Sequence, residues 1–294
     1  MISRVTAQTM SQASLRNLQS NLSALARLQE QATSQRAFLA PSDNPSAAAT
    51  TLAVHAAQDR NQQHARNIDD AIAWVATADS AISESTTLLQ RVRVLTVQGA
   101  NDVSMDATAK EAIAVELEGL RDELLARANT SLLGRSVFAG TSDAGRAFEP
   151  DYTHNGVPGA EVTRRIADGV SVRVDADGAA VFGEGDQSVF ALIDDIVADL
   201  RGGVNVGARL DQIDERMTAM LSAQGAIGAR QAQIERTQEA TLDESVSLET
   251  RRSAVEDVDS VEILVQLQAQ ELVYRSALQV TSRVLQPTLM DFLS

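Results

Sequence analysis

An apolar repeat with alternating steps of three and four residues runs from residue 210 to residue 238 and limits the folds open to this chain. It occupies Leu210, Ile213, Met217, Met220, Gln224, Ile227, Gln231, Ile234 and Gln238. Such steps place side chains on one stripe of an α-helix, so the repeat predicts a long helix with one seam facing a partner. The three glutamines in that seam are polar residues of the kind that specify register at some loss of stability. The sequence therefore predicts long paired helices.

Similar stripes predict the remaining helices. The first helix is expected over residues 4–36, with a stripe formed by Leu15, Leu18, Leu22 and Leu25. It ends at a turn that contains Pro41, Asp43 and Pro45, because two prolines that frame a polar cluster break a helix. A second helix is expected from Pro45 to about Gly99, which is roughly 75 Å at 1.5 Å per residue. Further helices are expected near 106–128, 189–200 and 257–286, and the last of these carries a stripe of Leu264, Leu267, Tyr274, Leu278 and Leu285.

The segment 141–186 has a different character, since it is rich in glycine and has no helical stripe. Three β-rich runs lie at 162–166, 170–174 and 179–182, and an Asp-Gly pair separates each run from the next. Asp-Gly between such runs is typical of a tight hairpin turn. We therefore expect a small β meander inserted into a helical protein.

Composition and charge narrow the possible functions. Only 3% of the residues are aromatic while 44% are hydrophobic, which favours slender helix-on-helix packing over one thick core. A net charge of −15 argues against a protein that binds nucleic acid or a membrane surface through basic residues. The absence of cysteine excludes disulfides, thiolate metal sites and cysteine nucleophiles. No apolar run approaches the roughly 20 residues of a membrane span, and the first residues lack the apolar core of a cleavable signal peptide.

The two ends of the chain carry opposite charge. Residues 1–40 have a net charge of +3 and residues 255–294 a net charge of −4, which favours pairing of the two end helices. Two interpretations follow. Either the ends are poorly ordered in a single chain and fold against neighbouring copies, or they close an ordinary bundle within one chain.

No pattern of catalytic or metal-binding residues stands out. His55 and His64 are nine residues apart on a predicted helix and point in opposite directions, so they cannot share a metal, and we expect them to be solvated or rim residues. The Asp175-x-Asp177 pair resembles the start of a calcium loop but lacks the glycine that such a loop requires, and a hairpin turn explains it better. The acids Asp194, Asp195 and Asp199 are expected to form a solvated face, and Trp74 is expected to pack in the core. We expect no enzymatic activity, no cofactor and no metal.

Four segments of the chain carry recognisable motifs. The first is the run from Leu28 to Arg36 with the following Pro-Ser-Asp-x-Pro turn at Pro41, Asp43 and Pro45. The second is Asn129-Thr-Ser-Leu-Leu-Gly134-Arg135-Ser-Val-Phe138-Ala-Gly140. The third is 206–210, and the fourth is the end of the chain with Asp291 and Phe292. In this order and spacing the four segments resemble the flagellin-like axial proteins of bacterial flagella, and in particular the hook-associated members of that family, although Pro287 departs from the family pattern.

This resemblance implies a mainly α fold: a long antiparallel helical rod (45–140 and 187–254), terminal coiled-coil helices (1–44 and 255–294) and a small inserted β domain (141–186). It implies a structural axial protein that forms the junction ring between the hook side and the flagellin filament. The implied partners are other copies of the chain, flagellin, the first hook-associated protein and a flagellar export chaperone, with no nucleic acid and no membrane. The implied location is extracellular, on the flagellum, after export without a cleaved signal.

The resemblance also implies roles for particular residues. The leucines of the two end helices are expected to form the self-assembly seam, namely Leu15, Leu18, Leu22, Leu25, Leu264, Leu267, Leu278 and Leu285. Asn129, Gly134, Arg135, Phe138 and Gly140 are expected to shape the turn where the helical rod meets the insertion. Two alternatives remain at this point: a short flagellin filament subunit, or a coiled-coil adaptor or chaperone.

Overall fold

The computed structural model describes residues 2–101 and 106–285, and the chain in these ranges is mainly α-helical. Seven helices are found: α1 (Ile2–Ser34), α2 (Pro45–Gly99), α3 (Ala107–Ala128), α4 (Gly178–Phe182), α5 (Val189–Arg201), α6 (Leu210–Glu256) and α7 (Ser260–Leu285). Two antiparallel hairpins complete the described regular structure, apart from single turns of 3-10 helix: β1 (Ser131–Leu132) with β2 (Arg135–Ser136), and β3 (Thr163–Ala167) with β4 (Val170–Arg173). The mainly α prediction is confirmed, and every predicted long helix is present.

Local signals explain where the helices begin. Asn44 accepts a hydrogen bond from Ala47 N at 3.0 Å, and Pro45 then opens α2 in the first-turn position that suits proline. Asp106 caps α3 by accepting from Ala109 N at 2.7 Å. Before α2, the carboxylate of Asp43 accepts from Ala40 N at 2.9 Å and so closes the turn between α1 and α2. The proline-framed break is therefore held by side-chain bonds to the backbone.

The chain forms two compact units. The middle unit comprises residues 60–244, and the terminal unit comprises residues 1–59 and 245–294. The three-part division expected from the sequence separates segments by role in an assembly, and it stays a prediction.

The middle unit holds a continuous apolar core. The buried stripe of α2 steps by three and four residues through Ile68, Ala71, Val75, Ala78, Ile82, Ser85, Leu89, Val92 and Thr96. Helix α6 runs antiparallel to it, since Arg93 pairs with Asp214 and Asn61 donates to Thr241 O. The buried residues of α6 in this unit are seven apart, at Ile213, Met220, Ile227, Ile234 and Thr241. This is the seam that the sequence predicted, except that Gln231 is exposed.

Four phenylalanines form a cluster at the base of the insertion. Phe138, Phe148, Phe182 and Phe190 are fully buried, and their ring centroids are 5.1–5.9 Å apart where they pair. The edge-to-face arrangement of most pairs is favourable for aromatic rings. Although only 3% of the residues are aromatic, four of them are concentrated in one local core, and the composition alone did not predict this.

One predicted β run is wrong. The 179–182 segment lies in the short helix α4, because the Asp177 carboxylate accepts from Ala179 N and Ala180 N at 3.1 and 3.2 Å and starts a helix there. Gly178 serves close packing at this point, since a Cβ on it would lie 2.6 Å from Phe138 O. The hairpin at Asp168-Gly169, by contrast, is confirmed.

The expected solvated acids also need correction. Asp194 accepts from Tyr152 Oη at 2.6 Å and pairs with Arg121, while Asp199 accepts from Arg209 Nε at 2.9 Å. Asp195 also pairs with Arg209, although its own side chain is exposed. These acids bind α5 to Arg121 of α3 and to Arg209 just before α6.

His64 is mostly covered, with a side chain that is 15% exposed. The side chain of His55 is 48% exposed, which confirms its expected solvated position, and its Nε2 lies 2.9 Å from a carboxylate oxygen of Glu256. Trp74 is 2% exposed, which confirms its predicted place in the core.

Candidate functional site

The terminal unit contains the candidate site, which is the pair formed by α1 and α7. The two helices run antiparallel and pack against each other within one chain. Gln270 Nε2 donates to Asn21 O at 3.3 Å across the pair. The predicted meeting of the end helices is confirmed, and in the form of the second interpretation above, a pair within one chain.

Two turns hold this pair at one end. Ala37 N donates to Glu256 O at 2.7 Å, and Val258 N donates to Gln35 O at 3.3 Å. The turn after α1 and the turn before α7 thereby form a short antiparallel bridge. An ion-pair network around Arg252 supports it, and this network lowers the pKa of Glu249. These contacts fix the end of α1 next to the start of α7.

The covered faces of α1 and α7 form a heptad seam that mixes large apolar residues with small and polar ones. On α1 it includes Ser11, Ser14, Leu18, Asn21, Leu25, Leu28 and Ala32. On α7 it includes Ile263, Leu267, Gln270, Tyr274, Ala277 and Thr281. Both sets step by three and four residues, which is the spacing of a two-helix coiled coil. The seam holds the two helices in register with little apolar burial.

The leucines expected to form a self-assembly seam divide into two groups. Leu18, Leu25 and Leu267 lie half-buried in the seam between α1 and α7. Leu15, Leu22, Leu264 and Leu278 are exposed beside it, at 44%, 49%, 54% and 41% of their surface. The side chain of Leu285, together with Pro287, Asp291 and Phe292, lies outside the described residues. The assembly role of the whole set stays a prediction.

Further apolar side chains of α7 point away from α1. Val261, Val265 and Leu272 lie on the face opposite the seam and are 73%, 62% and 68% exposed. Val273 and Val280 add a third exposed position around the helix. A helix that is apolar on all sides is typical of a buried element, so α7 has the surface of a helix meant to be surrounded.

Burial is distributed unequally between the two units. Of the 43 buried apolar residues within the described ranges, only Ala48, Val54, Leu248 and Ile263 lie in the terminal unit. Thirteen of the 22 large apolar residues found exposed belong to that same unit. Exposed apolar residues that form a contiguous patch mark protein–protein contact surfaces, and α7 carries the largest group of them in this unit.

The motif near residue 130 shapes a different region, at the base of the insertion. The Asn129 side chain accepts from Phe148 N at 2.8 Å and donates to Phe148 O at 3.0 Å, as a neighbouring strand would. Gly134 has φ +80 in the turn of the first hairpin. Gly140 has φ +57, and a Cβ there would lie 2.8 Å from Ala160 O. Phe138 is buried in the aromatic cluster, and Arg135 is exposed.

No group of histidine, aspartate and glutamate side chains in the described residues has the geometry of a metal site. Over the same residues, no helix combines the length and the apolar character that crossing a membrane requires.

Comparison with known proteins places this arrangement in a family. A model of the bacterial flagellin N-terminal helical region matches residues 5–143, and a model of the bacterial flagellin C-terminal helical region matches residues 210–293. Together the two regions cover most of the chain and leave the second hairpin, α4 and α5 unmatched. The fold and the exposed end helices define a helical structural protein of bacterial flagella. The chain belongs to the flagellin family.

Curated relatives narrow the comparison. Flagellar hook-associated protein 3 of Salmonella typhimurium is 26% identical over 214 residues, which are 67% of this chain and 67% of the relative. The protein of the same name from Escherichia coli is 27% identical over 219 residues, which are 74% of this chain and 66% of the relative. Flagellin of Bacillus subtilis is 29% identical over 210 residues, which are 66% of this chain and 67% of the relative. The chain thus matches about two thirds of the length of these relatives.

Solved structures agree on the fold. FlgL of Bacillus cereus superposes with a TM-score of 0.60 at 20% identity and covers 68% of this chain and 99% of its own. The flagellar junction protein FlgL from Legionella pneumophila superposes with a TM-score of 0.57 at 16% identity and covers 70% of this chain and 100% of its own. At these identities the likeness establishes a shared fold.

Proposed function

We propose that the chain is a structural subunit of the junction between the flagellar hook and the flagellin filament. This role is supported by the similarity to two relatives that are named flagellar hook-associated protein 3. It is also supported by the exposed apolar residues of the terminal unit, which a contact with other molecules would bury. The middle unit has a core of its own, whereas the terminal unit exposes the apolar side chains of α7 on several faces. Burying one leucine fully is worth about 1.5–3 kcal/mol, so neighbouring copies that cover these faces stabilise the assembly.

We infer the partners from this role. Copies of the chain form a ring in which the end helices make an inner layer, 1–44 with 255–294. The helices of 45–140 and 187–254 form the layer outside it, and the insertion 141–186 projects outward. The first hook-associated protein and flagellin lie on the two sides of the ring. Before export, a chaperone covers the apolar face of α7.

The decisive experiment is electron microscopy of cells that lack the gene, combined with detection of flagellin in the medium. The junction role predicts intact hooks without filaments, and flagellin released outside the cell. Restoring the gene should restore attached filaments. A filament subunit would give a different result, because its loss removes the released protein as well. Normal filaments on the mutant cells would refute the proposal.

A shorter chain tests the part played by α1. A variant that lacks residues 1–30 should keep the helical middle unit, since that unit has its own core. The same variant should fail to attach filaments, because α7 loses its intrachain partner and the inner layer loses a helix. Far-UV circular dichroism checks the first statement and motility in soft agar the second. Wild-type motility of this variant would contradict the proposal.

A further inference from the structure

The tip of the first hairpin departs from the usual rules for a turn. Leu133 is 87% exposed and has φ +50, a backbone conformation that leucine rarely adopts. A two-residue turn with positive φ at both positions favours Asn-Gly, and Gly134 supplies only the second residue of that pair. Leu133 therefore has both an unfavourable backbone conformation and an apolar side chain in solvent. Departures of this kind concentrate at functional positions.

The hairpin stands on a rigid base. Val137 N donates to Thr130 O at 3.1 Å, and Ala176 N donates to Val137 O at 3.1 Å, so the strand after the turn is tied on both sides. The two bonds between Asn129 and Phe148 fix the preceding residue. The leucine is therefore held in place before it meets a partner, which reduces the entropy lost on binding.

A cation lies next to the exposed leucine. Arg135 is exposed, and within the described ranges its guanidinium makes neither an ion pair nor a hydrogen bond. The tip therefore presents one apolar side chain and one uncompensated positive charge to solvent.

The same unit carries a cavity of complementary character. It measures about 330 Å³ and is lined by apolar groups that include Phe138, Val157 and Pro158. Asp177 and Glu184 line it too, and both are exposed. Arg173 also reaches the cavity, but its charge is compensated by Asp175 and Glu161, at 2.9 Å each. The cavity thus combines an apolar lining with two exposed carboxylates.

We propose that Leu133 of one copy inserts into this cavity on a second copy, where Arg135 pairs with Asp177 and Glu184. The proposal rests on the proposed function in one respect, namely that copies of the chain assemble with one another. The inserted tip and the receiving cavity are different surfaces, so the contact is head-to-tail. Such contacts generate rings or helical arrays, depending on the rotation between copies.

Because the chain has no cysteine, introduced cysteines test the contact directly. Cells should express two variants together, Leu133→Cys and Val157→Cys, since Val157 lines the cavity and is 60% exposed. Under oxidising conditions, isolated flagella should yield a covalent dimer of the two variants. Leu221→Cys paired with Val157→Cys is the matched control, because Leu221 is exposed to 53% and lies outside both surfaces.

The outcomes separate this proposal from the junction role. A dimer of the 133 and 157 variants, absent from the control, supports the contact. Attached filaments without that dimer overturn the contact while leaving the junction role intact. A disulfide between Leu133→Cys and any other protein also overturns the proposal, because Leu133 then contacts that protein and not the cavity of a second copy.

Charge reversal provides a second test on the same contact. Arg135→Glu should reduce the fraction of cells with attached filaments, and Glu184→Arg should do the same; Asp177 is left unchanged because its carboxylate caps α4. Combining the two changes should restore much of the loss, since opposite charges then face each other again. Failure of the combined variant to recover, with each variant folded by circular dichroism, would overturn the pairing.

A third variant separates assembly from stability. Leu133→Asn places the preferred residue in the turn, so the melting temperature should stay the same or rise. Self-association should nevertheless weaken by about 10- to 100-fold, the range that corresponds to losing one buried leucine. Unchanged association would overturn the proposal.

Discussion

Replacing Asn129 with alanine should destabilise the middle unit far more than the loss of a surface side chain. The amide of Asn129 satisfies both the N–H and the C=O of Phe148, at 2.8 and 3.0 Å, and Phe148 is fully buried. Each buried polar group left without a partner costs about 1–3 kcal/mol, so Asn129→Ala should lower the free energy of unfolding by about 2–5 kcal/mol. In a unit of this size the melting temperature should fall by about 5–15 °C.

The single tryptophan makes the assay specific. Trp74 is buried in the middle unit, so urea unfolding followed by its fluorescence reports on that unit. Asn155→Ala is the matched control, because the Asn155 amide donates to Arg146 O and Glu149 Oε1 at the surface. This control should lower the free energy of unfolding by less than about 1 kcal/mol. An Asn129→Ala variant within about 0.5 kcal/mol of the wild type would refute the argument.

Three further predictions follow from the structure. Burial and, second to it, the hydrogen bond to Asp194 raise the pKa of Tyr152 to about 12. The protonated phenol therefore stabilises the fold below its ordinary pKa of about 10, and this contribution is lost as the pH rises from about 10 to about 12. An ultraviolet titration should show this late ionisation, and the late ionisation should be absent from Tyr152→Phe. Gly140→Ala should destabilise the middle unit by about 1–3 kcal/mol, because φ is +57 there, and a melting curve equal to wild type would contradict this. Leu25→Asp should open the α1–α7 pair and so speed amide hydrogen exchange in both helices, because Leu25 lies in the seam. Leu22→Asp should leave the exchange rates unchanged but impair filament attachment, because Leu22 is exposed. Equal exchange rates in the two variants would show that the two leucines are not on different faces.

Helix positions followed from the sequence because each helix carries its own signals. The stripe of α6 and the Asn44-Pro45 start of α2 are local features, and both appear in the structure where expected. The Asp168-Gly169 turn belongs to the same class, since two adjacent residues determine its backbone. Asp177-Gly178 shows the limit of such reasoning. The same dipeptide caps a helix there, because the two alanines that follow favour a helix and Phe182 packs into the aromatic cluster.

The register of α7 could not be read from hydrophobicity. The sequence suggested a stripe through Leu264, Leu267, Tyr274, Leu278 and Leu285. The covered stripe shares Leu267 and Tyr274 with it but passes through Ile263 and Thr281, while Leu264 and Leu278 are exposed. A helix with apolar residues on every side has no single preferred face, so hydrophobicity alone does not determine which face meets α1. Long-range ion pairs, such as those that cover the acids of α5, are likewise absent from any local pattern.

The composition of the α1–α7 seam bears on how strongly the two helices are held within one chain. Polar and small residues such as Ser14, Asn21 and Gln270 alternate there with half-buried leucines, so the polar residues set register at some loss of stability. The apolar residues that could strengthen the pair, such as Val261, Val265 and Leu272, lie on the far side of α7, where only another molecule can cover them. In the assembly that we propose, covering these side chains adds free energy that the pair within one chain does not supply. Replacing the polar seam residues Asn21 and Gln270 with leucine would shift this balance: the isolated chain would be more stable, and its neighbours would gain less by joining.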